Sequence, residues 1–239
     1  MTDTVRVRTL AHGVQHIEID RPQVRNALGQ REYVRLADLI DAAAAQRCPA
    51  LLLTSRGPTF CAGNELAEFD TAWPQPAHGP VYRFLAALAA CPCPVVAGVQ
   101  GGAVGIGATL LLHCDVVLLQ RDAFLAYPFV KVGISVEGGS SWLLPARIGY
   151  LRAMEILLES RKVPADEAAR LGLATAVVEA DVAAHAVAAA ERIGGLDAAA
   201  VQATKGQLRR EPASFPERFE DEIQAINALI VAKRSGAAR

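Results

Sequence analysis

Short apolar runs, most of them closed by glycine or proline, alternate with helix-like patterns through the first half of the chain. That alternation restricts the fold more than any other feature. Residues 5–10 and 14–19 read as two strands joined by a turn at Ala11-His12-Gly13, and Arg21-Pro22 ends the second. Residues 30–46 carry apolar positions at Val34, Leu36, Leu39 and Ile40 and then an alanine run, the pattern of an amphipathic helix. A strand at 50–54, a loop through Cys61-Ala62-Gly63-Asn64, a Pro-rich loop at 73–80 and a helix at 81–90 follow. Pro92 and Pro94 stop that helix before a strand at 95–99. A glycine-rich turn leads into a helix at 108–113 and a strand at 115–119. Beyond this point helices dominate, at 140–147, 151–159, 165–171, 182–193, 198–210 and 217–233, with one short strand at 174–178. Alternation followed by helices predicts an α/β fold with a C-terminal helical extension.

Composition excludes several function classes. A 239-residue chain can bury one sizeable core. Its net charge of -1 offers no broad basic field for nucleic acid or an anionic membrane, so an anionic ligand must be held by a few local groups. The apolar stretches at 110–112 and 116–119 are interrupted by His113 and Asp115, and no membrane span is expected. Neither a signal-peptide pattern nor a peroxisomal tripeptide is visible, and the expectation is a cytoplasmic protein. Five cysteines, an odd number, point to reduced thiols. Cys91-Pro92-Cys93 is spaced more tightly than zinc ligand pairs usually are, and it lacks a second pair; His113-Cys114 does not supply one. No metal is expected.

The loop from Gly101 to Gly107 reads Gly-Gly-Ala-Val-Gly-Ile-Gly between a strand and a helix. A dinucleotide fingerprint started at Gly105 fails at its sixth position, Leu110, and no Gly-Lys-Ser/Thr follows to cradle phosphates. Gly133-Ile134-Ser135-Val136-Glu137 starts like a serine nucleophile elbow but ends in glutamate. Two readings of the loop stay open. The glycines permit a tight turn and close packing, or they expose N–H groups at a helix start, where no intrahelical acceptor exists and negative charge is favoured. The second arrangement is the chemistry of an oxyanion hole.

Ordered matches along nearly the whole chain then identify a family. Phe60-Cys61-Ala62-Gly63-Asn64-Glu65-Leu66 resembles the loop after the first crossover strand in the crotonase (enoyl-CoA hydratase/isomerase) superfamily. Pro94-Val95-Val96-Ala97-Gly98-Val99-Gln100-Gly101 with the following glycine-rich turn, ending in Cys114-Asp115, resembles its second signature. Arg21-Pro22 with Asn26-Ala27-Leu28, and Ala165-Asp166-Glu167-Ala168 with Leu171-Gly172-Leu173, resemble its N-terminal loop and a later helix and strand. The resemblance implies a right-handed spiral of ββα turns at 1–195 and a helical trimerisation region at 196–239. It also implies an acyl-CoA thioester as substrate, with no separate cofactor. By the same resemblance the backbone N–H groups of Asn64 and Ile106 form the oxyanion hole. Asn26, Ala27, Leu28, Ala62, Gly63, Asn64, Glu65, Leu66 and Gly105 line the thioester and CoA strip. A homotrimer or a pair of stacked trimers is expected, with Ile223, Ile226, Ile230 and Val231 as the apolar contact.

Two glutamates handle water in the family's hydratases. Their positions hold Thr109 and Phe129 here. Glu137, in Ile134-Ser135-Val136-Glu137-Gly138-Gly139, instead resembles the single catalytic glutamate of peroxisomal-type Δ3,Δ2-enoyl-CoA isomerases, which share the Gly105-Ile106 type of pair. The resemblance therefore implies isomerisation of a 3-enoyl to a 2-enoyl thioester. Another crotonase-type reaction (a variant hydratase or thioester hydrolase) and a non-catalytic acyl-CoA-binding subunit are the alternatives. Read from the residues alone, Glu137 is equally an acid in a first helical turn. Glu65, Glu68, Asp70, His78, His113 and Lys131 are weaker candidates for the chemistry. Lys205, Arg209 and Arg210 are candidates to meet CoA phosphates.

Overall fold

A computed structural model describes residues 4–68 and 78–209. Nine strands and eight helices are assigned among them. β1 (Val5–Thr9), β2 (Gln15–Ile19), β3 (Leu51–Ser55), β4 (Val95–Val99), β6 (Val116–Gln120) and β9 (Ala176–Val178) form one sheet in the order β1-β2-β3-β4-β6-β9. β1 pairs antiparallel to β2, and every later pairing in this sheet is parallel. β5 (Gly102–Val104), β7 (Phe124–Ala126) and β8 (Lys162–Pro164) form a second, smaller sheet.

The chain alternates between the two sheets. β4 of the large sheet is followed by β5 of the small one, and β6 by β7. Isolated parallel bridges extend the same pattern backwards, pairing Cys61 with Ala103 and Leu28 with Asn64. Each turn thus lays one segment on each sheet before a helix carries the chain back: α1 (Gln30–Ala45) after Leu28, α2 (Pro80–Ala90) after β3 and the 61–64 segment, α3 (Ile106–Thr109) after β5. Parallel crossovers of this kind wind right-handed. The expected ββα spiral is present. The helices α4 (Ser140–Ile148), α5 (Tyr150–Glu159), α6 (Ala165–Arg170), α7 (Val182–Gly194) and α8 (Ala198–Arg209) follow it.

Burial explains why these segments carry the sequences they do. All five residues of β3 and of β4 are buried, because helices or the second sheet cover both faces, so the strands read as continuous apolar runs and not as alternation. One face of the large sheet joins the main core with α1 and α2. On the other face α7 lays Val182, Ala186, Ala189 and Ala190 over Val14, Leu52, Val96 and Leu118. α1 buries Tyr33, Leu36, Ala37, Ile40 and Ala43 at helical spacing. Val34, expected on that stripe, lies on the exposed side.

Most expected elements are present within a residue or two at each end. The three strands of the small sheet were not expected. Each has three residues, too few to establish a period. The helix expected at 108–113 starts earlier, at Ile106, and tightens to a 3-10 turn over Leu110–His113. The helix expected at 217–233, the loop at 73–77 and Arg210 lie outside the described residues.

Candidate active site

The site forms where two consecutive turns of the spiral run side by side. The Cys61–Ala103 bridge is closed by Cys61 N–H donating to Gly102 O at 3.1 Å and Val104 N–H to Cys61 O at 2.9 Å. Asn64 and Ile106 each lie three residues beyond it, so the two expected donors come from matching positions of adjacent turns. Glycine makes the approach possible. Gly63 has φ +105°, and a Cβ there would sit 3.2 Å from Val104 O; Gly105 has φ +55°, a conformation side chains rarely adopt.

Neither donor is spent elsewhere among the described hydrogen bonds. The Leu28–Asn64 bridge uses Leu28 N–H to Gly63 O (2.8 Å) and Glu65 N–H to Leu28 O (2.9 Å). In extended backbone successive N–H groups face opposite ways, so Asn64 N–H is directed away from Leu28. Gly105 N–H donates to Ala126 O (3.0 Å), and Ile106 is the first residue of α3, where an N–H has no intrahelical acceptor. A cavity of about 420 Å³ opens against Gly63, Asn64 and Gly105 on one side and Pro128, Phe129 and Ile134 on the other. Its walls are mainly apolar, so a polar interaction inside it is little screened.

Glu137 comes from the segment between β7 and α4. It is half-buried, and its Oε1 accepts a hydrogen bond of 2.6 Å from the hydroxyl of Thr109 on α3. Burial raises its carboxyl above the usual range, and the Thr109 bond partly offsets that. The segment is clamped on both sides of the carboxylate. Ser140 N–H and Oγ both bond Glu137 O, and His113 Nε2 lies 2.8 Å from Gly138 O, which requires that nitrogen to carry the proton. Gly138 has φ +65°, and a Cβ there would meet Thr109 at 3.1 Å. The Glu137 charge helps raise the Tyr33 hydroxyl and Cys61 thiol, the latter pushed up to about 12 chiefly by burial. Through the Thr109 bond the carboxylate lies against α3, the short helix that starts at Ile106. It does not line the 420 Å³ cavity itself.

The other candidate residues divide clearly. Asn26 is fully buried, and its side chain is spent inside the chain: Oδ1 accepts from Arg21 N–H (2.8 Å), and Nδ2 donates to Arg56 O (2.7 Å) and Thr59 O (2.6 Å). It shapes the strip and presents no side-chain group to a ligand. Leu28 joins the strip through its backbone pairing with residues 63–65, beside the buried Ala27. Ala62 N–H bonds Arg25 O at 3.0 Å. Glu65 turns away from Asn64 to pair with Arg21 at 2.8 Å. Leu66 opens a short 3-10 turn, Leu66–Glu68, and Glu68 accepts from Gln30 N–H at the start of α1. His78 is exposed and packs edge-on against Tyr82, and Lys131 is exposed. Lys205 and Arg209 turn inward to Asp115 at 2.7 and 3.0 Å, so neither is free for a phosphate. Cys91, Cys93 and Cys114 are buried free thiols, and no group of three metal-ligating side chains gathers among the described residues. A larger apolar groove of about 530 Å³ runs along α8. Of its charged residues, Asp115, Lys205 and Arg209 satisfy one another, and Asp197 accepts from Ala200 N–H at 3.0 Å.

Tyr33 is the site residue that sequence reasoning missed. Its hydroxyl donates to Asn64 Oδ1. On α1 it sits in line with Leu36, Ala37 and Ile40, where a tyrosine reads as core. Its one distinguishing signal was a phenolic group on a stripe of otherwise apolar side chains.

Comparison with known proteins agrees with this fold. The family model described as "Enoyl-CoA hydratase/isomerase" matches residues 9–234. A protein of Rhodobacter capsulatus named "Probable enoyl-CoA hydratase" is 34% identical over 204 residues, covering 82% of this chain and 77% of its own. The mitochondrial Delta(3,5)-Delta(2,4)-dienoyl-CoA isomerase of Homo sapiens is 31% identical over 229 residues, covering 86% and 68%. The solved enoyl-CoA hydratase/isomerase of Pseudoalteromonas atlantica T6c superposes with a TM-score of 0.82 at 34% identity, over 99% of this chain and 90% of that one. These names include hydratases as well as isomerases, and none specifies the Δ3,Δ2 reaction that the resemblance implied. With the spiral and the family match in agreement, the chain belongs to the enoyl-CoA hydratase/isomerase family and has the crotonase fold.

Proposed function

We propose that the protein isomerises 3-enoyl-CoA thioesters to trans-2-enoyl-CoA, with Glu137 as the single proton carrier. The observation that carries this reading is the half-buried Glu137 carboxylate bonded to Thr109 on the helix that starts at Ile106, with its pKa raised by burial, while Thr109 and Phe129 stand where the family resemblance puts the water-handling pair of acids. A C2 proton of a 3-enoyl thioester is acidified by both the carbonyl and the double bond. Glu137 takes it, and the C–H electrons pass to the thioester oxygen as a dienolate held by the Asn64 and Ile106 N–H groups. The same carboxyl returns the proton at C4. The electrons fall back from oxygen, and the double bond lies between C2 and C3. No water is added and no CoA is released. A base whose pKa is raised toward neutrality is better matched to this exchange than an ordinary carboxylate.

The test is Glu137→Gln assayed on 3-enoyl-CoA by the absorbance of the conjugated product. A loss of a hundredfold or more in kcat with CoA-ester binding retained is expected, in the range typical of a general acid–base group. Undiminished turnover refutes the role. The hydratase name of the Rhodobacter relative favours a second reading, a variant hydratase. Product analysis decides it, since a 3-hydroxyacyl product requires added water. For assembly, the proposal is a homotrimer or a pair of stacked trimers. Trp142, Tyr150 and Leu151 on α4 and α5 are exposed apolar groups suited to a contact, Leu151 at 81%; Ile223, Ile226, Ile230 and Val231 lie outside the described residues. A monomer in sedimentation at micromolar concentration refutes it.

A further inference from the structure

Asn64 is held from two directions. Its backbone neighbours are fixed by the bridge to Leu28. Its side chain reaches across to α1, where the Tyr33 hydroxyl donates to Oδ1. Tyr33 is 1% exposed, and its ring packs against Phe84 of α2 with centroids 5.8 Å apart. Glu32 next to it accepts from Gly29 N–H at 3.1 Å and pairs with Arg21, which also grips Glu65 at 2.8 Å. Residues on both sides of Asn64 in the sequence, and the helix that holds its side chain, therefore belong to one packed unit. A buried hydroxyl without a partner costs more than the bond contributes when made, so the pair resists separation. The Leu28 bond to Gly63 O sets the plane of the peptide that carries the Asn64 N–H; the amide and that peptide meet at the Asn64 Cα, so anchoring Oδ1 to α1 restrains the movement of that Cα.

We propose that Tyr33 is a positioning residue of the oxyanion hole: its bond to the Asn64 side chain fixes the direction of the Asn64 N–H toward the thioester oxygen. Catalysis of this type depends on donors that are already oriented when charge develops, so loosening one lowers turnover without removing a donor. This rests on the oxyanion-hole part of the proposed function and not on which reaction follows. A donor that is purely backbone would leave Asn64→Ala with most of its activity; the Tyr33 bond predicts a loss. Asn64→Ala keeps the N–H but releases it and orphans the Tyr33 hydroxyl.

The test combines Tyr33→Phe, Asn64→Ala and the double variant with two readouts. The first is turnover. Each single variant is expected to lower kcat about two- to tenfold, the range of one neutral hydrogen bond, with KM changed less than kcat. The double variant is expected to be no slower than the worse single one, because both remove the same contact. The second is the infrared carbonyl stretch of a bound acyl-CoA thioester. It is expected to be lowered in the unsubstituted protein and to move back toward the free value, with a broader band, in Tyr33→Phe. A thermal melt accompanies each variant. Tyr33→Phe with a lower melting temperature but an unshifted carbonyl band assigns Tyr33 to the core alone and overturns the proposal. Losses that multiply in the double variant overturn it as well. If the unsubstituted protein does not lower the carbonyl frequency, the oxyanion hole itself fails, a result distinct from either.

Discussion

Thr109→Val tests the environment of Glu137 with a nearly isosteric change. The Thr109 hydroxyl is 2.6 Å from Glu137 Oε1, and Thr109 is 0% exposed, so no water can replace the lost donor. Hydrogen bonds to charged groups contribute about 1.5–3 kcal/mol. Part of that survives when the carboxyl is neutral, so the lower end applies, and the acid dissociation constant of Glu137 falls by about tenfold. The sign follows from the two causes acting on the group. Burial raises its pKa and Thr109 lowers it, so removing Thr109 leaves burial unopposed and the pKa rises further. The rising limb of the kcat/KM against pH profile, which reports the free enzyme's base, moves to higher pH. On the acidic side of that limb the variant is expected to be about tenfold slower at fixed pH. Above the limb it recovers. Thr109→Ser restores the original profile. An unmoved limb, or one displaced to lower pH, refutes both the bond's role and the choice of Glu137 as base.

Two other changes test the frame around the site. Asn64→Pro removes the donor while leaving the Leu28–Gly63 and Glu65–Leu28 bonds their partners, so kcat is expected to fall on the order of a hundred- to a thousandfold, far more than for Asn64→Ala, and more than KM changes; equal losses in the two variants, both folded, refute a backbone donor. Asp115→Ala leaves Lys205, which is 8% exposed, with its bond to Cys93 O but no carboxylate, and deprives Val95 N–H of its 2.7 Å acceptor, so urea unfolding is expected to show a loss of about 1–3 kcal/mol. A change under 1 kcal/mol there shows that Lys205 finds water in place of the carboxylate.

Legibility from sequence tracked the range of the interactions. The strands Leu51–Ser55 and Val95–Val99 were visible because burial on both faces writes an unbroken apolar run into the local sequence. The small sheet was not visible. Gly102–Val104 reads as a glycine-rich turn, and only pairing with Phe124–Ala126 and the Cys61 bridge makes it a strand. Lys205 and Arg209 read as candidates to meet CoA phosphates, since their partner Asp115 lies some ninety residues back in the chain. The resemblance placed Asn26 along the CoA strip; that its side chain is spent on three backbone groups was not legible, because the fold brings two of them from thirty or more residues away.

By itself the sequence determined the order of elements, the glycines that let two loops touch, and the ordered motifs from which the family and Glu137 were inferred. These are properties of short segments, and short segments carry them whole. The tertiary structure decided which groups meet. It set Asn64 and Ile106 at matching places on neighbouring turns, brought Thr109 and His113 to the Glu137 segment, and gave Tyr33 a polar partner in an otherwise apolar stripe. Each of those contacts joins residues 25 to 42 positions apart. A hydrogen bond depends on direction and on distances of a few tenths of an ångström, and at such separations both are set by packing and not by residue type.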